Sequence, residues 1–134
     1  MVILSVRFPE IAEAADIFSA ESGNWGSTTT WSGGMIPTEN DNVTILSGDT
    51  VIVESSGKSC YSLTVEAGGQ LYTNSTSTSY PRYIYVYGDI TCNGMIGNGS
   101  TYDRLGFNIE GSSCLISGTG TFDVARIRKY ENFN

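Results

Sequence analysis

The chain has 134 residues, with 14 acidic and 7 basic side chains, no histidine, 16 glycines and a hydrophobic fraction of 40%. That length suits one domain with a single modest core, and the apolar content is too high for a disordered chain. The lack of histidine excludes Ser–His triads, Cys–His pairs and His-based metal sites, and no apolar run reaches the ~18–20 residues of a membrane span.

Val2 to Phe8 alternates weakly and reads as a short strand. Pro9 then opens a predicted helix, with Glu10, Glu13 and Asp16 near the positive end of its dipole. Ile11, Ala14, Ala15 and Phe18 fall at i, i+3, i+4 and i+7, so they form one apolar stripe suited to capping a core. Residues 1–21 are thus expected to be an N-terminal strand and capping helix, or an assembly arm. Val2 to Val6 is too short for the apolar region of a secretion signal before Arg7, Pro9 and Glu10 interrupt it. Synthesis in a cytoplasm is therefore expected.

Residues 22–42 read as an entry loop rich in Gly, Ser and Thr that carries Trp25 and Trp31. Two indoles beside such a loop suit plugging the open end of an apolar core, with stacking on sugar rings as the rival use. Glu39, Asn40, Asp41 and Asn42 make an oxygen-rich turn without calcium-loop spacing, which predicts no metal.

From residue 43 to 134 the pattern is repetitive. Val43-Thr44-Ile45 with Gly48 and Val51 aligns with Leu63-Thr64-Val65 with Gly68 and Leu71, and similar phrases begin at Ile84 and Phe107. Short alternating strands broken by glycine every ~20–25 residues predict a solenoid whose coils stack at about 4.8 Å and share one core. The fold class expected is all-β: a short right-handed parallel β-helix of about four coils. Its inward residues should be Val43, Ile45, Val51, Val53, Leu63, Val65, Leu71, Ile84, Val86, Ile90, Cys92, Phe107, Ile109, Cys114, Ile116, Phe122 and Val124. On this reading Val43, Leu63, Ile84 and Phe107 are equivalent and lie directly above one another. The last coil has no obvious lid, so the tail from Ala125 to Asn134 or another chain must cover it.

Ser22-Gly23-Asn24-Trp25, Thr30-Trp31-Ser32-Gly33-Gly34, Ile36-Pro37-Thr38 and Asp41-Asn42-Val43-Thr44-Ile45 resemble the entry segment of β-helix modules in Bacteroidetes-type surface proteins and bacteriophage structural proteins. Cys60-Tyr61-Ser62-Leu63-Thr64-Val65 and Ile116 to Phe122 are similar to the coils of those modules, so the resemblance covers about residues 22–125. It implies a non-catalytic scaffold. Without a signal sequence, it points to a virion component such as a capsid decoration, cement or fibre subunit made in the host cytoplasm. An extracellular or cell-surface adhesive module is the alternative.

The remaining candidates are surface residues. Tyr83, Tyr85 and Tyr87 alternate with inward Ile84 and Val86, and Tyr80 and Arg82 lie beside them. Such a stripe suits a protein interface or a glycan, since Tyr and Arg are enriched at binding hot spots; a cross-strand tyrosine ladder under the Asn74–Ser79 loop is the alternative. Cys60, Cys92 and Cys114 are odd in number and read as buried apolar thiols. Residues 1–66 hold nine acids against Arg7 and Lys58, an imbalance that repels phosphate backbones and anionic lipid. No nucleic acid, membrane insertion, catalytic residue or cofactor is expected. The expected partner is a second copy or another structural protein of the same assembly, with a glycan as the other possibility.

Overall fold

The computed structural model describes residues 14–74, 81–98 and 104–129. Among the described residues, fourteen short strands wind through three parallel sheets. The first sheet stacks β1 (Asp16–Phe18), β3 (Asn42–Ile45), β6 (Ser62–Val65), β9 (Ile90–Cys92) and β12 (Ile116–Ser117). The second stacks β2 (Gly23–Asn24), β4 (Thr50–Ile52), β7 (Gln70–Tyr72), β10 (Met95–Ile96) and β13 (Thr121–Phe122). The third stacks β5 (Lys58–Cys60), β8 (Arg82–Val86), β11 (Leu105–Ile109) and β14 (Arg126–Lys129). The chain is a three-faced parallel β-helix, as its alternation predicts. Among the described residues it makes five rungs, of which the first lacks a strand in the third sheet.

Alternation positions the core. Within β3, β6, β8 and β9, every second side chain is an aliphatic or a thiol pointing inward, while Thr44, Thr64 and Thr91 line up outside. β-Branched residues suit this pleated, half-buried setting. Ile17, Val43, Leu63 and Ile90 form one buried column, and Val51, Leu71 and Ile96 form a second. Ile84 and Phe107 belong to a third. Cys60 and Cys92 are buried and Cys114 is half-buried; all three thiols are free. Burial pushes the Cys60 thiol well above its ordinary range, so it behaves as a small apolar side chain.

Two expectations are corrected. First, Asp16–Phe18 is a strand, not the end of a capping helix. Its register places Asp16 against Asn42 and Ile17 against Val43, so Ile17 enters the core and Phe18 is left exposed. Pairing with β3 outweighs the 3.6-residue spacing of the stripe. Ala15 packs partly against the core, whereas Ala14 is exposed. Ile11, the Val2 to Phe8 strand and the tail beyond residue 129 lie outside the described residues.

Second, Val43, Leu63, Ile84 and Phe107 do not share a column. Val43 stacks on Leu63 in the first sheet, whereas Ile84 stacks on Phe107 in the third; Leu63 is followed in its own column by Ile90. The spacing misleads because coil length varies from rung to rung, most of all at the vertices on either side of the third sheet. Five residues join β4 to β5, nine join β7 to β8, and eight join β10 to β11. A phrase of apolar residues ending in glycine suits any strand that meets a corner, so its recurrence does not identify the face.

Candidate functional site

The two ends of the solenoid differ, and the difference arises in the loop after β2. There Trp25 and Trp31 are fully buried and meet edge to face, with ring centroids 5.1 Å apart and planes at 69°. The Trp31 Nε1–H donates to the Trp25 carbonyl at 2.7 Å, tying the loop into a closed turn. The two indoles are packed together in the core beside the first rung. The same loop also covers the free edge of β1: the Ala20 N–H donates to the Thr30 carbonyl at 2.8 Å, and the Phe18 N–H donates to Ser32 Oγ at 3.1 Å. Buried Asp41 braces the return into β3, accepting from the Thr38 N–H at 2.8 Å, from Thr38 Oγ1 at 2.9 Å and from the Ala15 N–H at 3.2 Å. A strand edge treated this way offers little for another strand to pair with.

Among the described residues the other end is open. β12, β13 and β14 each pair on one side only. Ile116 continues the column of Ile90, and Ile127 continues that of Phe107, yet they are 38% and 44% exposed. Leu115 beside them is 64% exposed. Phe122 stacks on Phe107 at 5.9 Å and is itself only half-buried. Inward positions that would be core in any earlier rung are here cut open. Arg126, Arg128 and Lys129 flank this apolar section on β14.

The predicted tyrosine stripe sits on β8 and the corner after it, and its members do different work. Arg82 belongs to the neighbouring vertex, where its Nη1 donates to the Val53 carbonyl at 3.1 Å and to Asn74 Oδ1 at 2.6 Å. Tyr83 lies over Gly106 of the next rung, where an added Cβ would come 2.7 Å from Tyr83 Cε1. The Arg128 guanidinium stands 4.6 Å from the Tyr83 ring centroid, so the ring bridges three rungs. Tyr85 is flanked in register by Ser59 and Asn108. Among the described residues, the buried Tyr83 hydroxyl and Asn108 Oδ1 find no hydrogen-bond partner. Tyr80 lies outside the described residues.

Tyr87, at the corner, is 37% exposed. What burial it has, together with the nearby Glu110 and Glu39 carboxylates, pushes its phenol up from the ordinary value. Its neighbour is Tyr61, 49% exposed, which follows the Cys60–Val86 register pair on the adjacent rung. The Tyr87 N–H donates to the Tyr61 carbonyl at 3.1 Å. Sequence reading misses Tyr61 because 26 residues separate it from Tyr87; only the register of β5 against β8 reveals the pair.

The acids on the coil faces are tied to turns. Asp49 Oδ2 accepts from Ser19 Oγ at 2.6 Å, Glu66 Oε2 from the Ser47 N–H at 3.2 Å, and Asp89 Oδ1 from the Leu115 N–H at 2.8 Å. Each links one rung to the next. A family model described as the G8 domain matches residues 30–109. The match runs from the capping loop through the third strand of the fourth rung, spanning well over half of the chain. No curated protein and no solved structure matches the chain.

Proposed function

We propose, on the premise that the chain belongs to the G8 domain family, that it is a non-catalytic structural module. In this role it is a self-associating coat, cement or fibre-type subunit of a virion or extracellular assembly. The observation that carries this reading is the contrast between the ends. One end is sealed by the Trp25–Trp31 pair, and the other presents Leu115, Ile116 and Ile127 with an unpaired strand edge. An apolar section ringed by polar residues marks an interaction surface. The use of Asp49, Glu66 and Asp89 as turn braces supports a scaffold over a hydrolase, which needs two acids facing each other across a groove.

Size-exclusion chromatography with light scattering over a micromolar to millimolar series tests the proposal. Concentration-dependent assembly, weakened by Ile127→Asp, supports it; a strict monomer throughout, with no binding to co-purified assembly proteins, removes it.

A second reading, a carbohydrate-binding or adhesive surface module, draws on the exposed Tyr61 and Tyr87 rings on neighbouring rungs. A glycan array that shows saturable binding, abolished by Tyr87→Ala, would place it first.

A further inference from the structure

Charge is distributed along the solenoid axis in a way that the apolar open end does not explain. At the sealed end, residues 14–36 contain Asp16 and Glu21 and no basic residue. The last rung, residues 112–129, contains Arg126, Arg128 and Lys129 against Asp123 alone. Among the described residues the only ion pair is Glu54–Lys58, at 2.9 Å in the second rung, so neither set is neutralised by a carboxylate–cation contact. Exposed apolar side chains accompany both sets: Phe18, Met35 and Ile36 at the sealed end, and Leu115, Ile116 and Ile127 at the open end.

We infer, building on the assembly reading above, that copies of this chain associate head to tail, with the basic open rung of one seated on the acidic capped end of the next. Joining two open rungs would set Arg126, Arg128 and Lys129 of one copy against the same cluster of another, and like charges brought together at an interface oppose association. Head-to-tail contact instead places opposite charges around an apolar centre on both sides. Because the capping loop occupies the edge of β1, the contact is made by side chains and not by a continuous strand ladder. It is a heterologous interface, so repetition produces a ring or an open fibre and does not stop at a two-fold dimer.

The test uses the full chain in two charge-swapped forms, Arg126→Glu/Lys129→Glu and Asp16→Lys/Glu21→Lys, each checked for an unchanged far-UV circular dichroism spectrum. Sedimentation velocity should show each variant associating at least about tenfold more weakly than the parent, and an equimolar mixture should recover the parent's assembly. Parent association should also weaken as salt rises from 50 to 500 mM. If the parent assembles but Asp16→Lys/Glu21→Lys has no effect, the head-to-tail arrangement is wrong while the assembly reading stands. A parent that stays monomeric defeats that broader reading.

Discussion

Trp31 donates its indole N–H to the backbone carbonyl of Trp25 at 2.7 Å, with both rings buried and set edge to face. Two large side chains and one hydrogen bond thus close the first rung, where a third-sheet strand is missing. Trp31→Ala should lose about 3–5 kcal/mol, the usual cost of removing a buried aromatic. Trp31→Phe keeps much of the packing but leaves a carbonyl unpaired, and should lose about 1–3 kcal/mol. Urea unfolding followed by circular dichroism would rank the two, and a Trp31→Phe loss near zero would show that the hydrogen bond contributes nothing.

Gly94 lies at the vertex between the first and second sheets. A Cβ there would collide with the backbone carbonyls of Glu66 and Gly69 in the rung below. Neither oxygen can move without shifting a rung, so Gly94→Ala should cost about 1–3 kcal/mol, an ordinary penalty for overpacking. Differential scanning calorimetry should show a lower melting temperature for Gly94→Ala and almost none of that loss for Ala67→Ser, an exposed change one rung below.

The Cys60 thiol is completely buried, and desolvation raises its pKa in the folded state. An unfolded chain ionises this thiol above its ordinary value of 9.0, whereas the folded chain keeps it neutral. Stability from this group is therefore complete below pH about 9 and declines as pH rises beyond it. Denaturant midpoints at pH 7, 9 and 10 should fall in that order, and Cys60→Ala should flatten the decline between pH 9 and 10. In a thiol-labelling experiment at pH 8, half-buried Cys114 should react before Cys60.

Tyr83 holds three rungs together through Gly106 and Arg128. Removing the cation by Arg128→Ala should cost about 0.5–1 kcal/mol for a half-exposed pair. Tyr83→Ala should cost more, because the cover over Gly106 goes with it. A double-mutant cycle read by urea unfolding would isolate the ring–cation coupling, and a coupling of zero would show that the contact is incidental.

How much of this was legible in the sequence follows from the physics of each element. The inward aliphatics of β3, β6 and β8 were readable because a period of two is a local property, and the match of Val43 with Leu63 survives because only short turns separate those strands. Ile84 was misassigned because a strand carries no mark of the face it belongs to, and the length of the preceding corner decides that. Asp16–Phe18 fits a helical stripe and a strand equally well; the partner β3 selects the strand, and no local signal encodes that partner. That Trp25 and Trp31 are buried follows from two large apolar rings in a polar loop. The Tyr61–Tyr87 pair depends on long-range register and was not.

The vertex between the second and third sheets absorbs five, nine and eight residues in successive rungs while the ladders on either side stay in step. Insertions and deletions at that vertex leave the inward columns undisturbed, so sequence drift in chain length can collect along one longitudinal stripe of the molecule. A peptide inserted between β7 and β8 would use the same tolerance while both ends keep their surfaces.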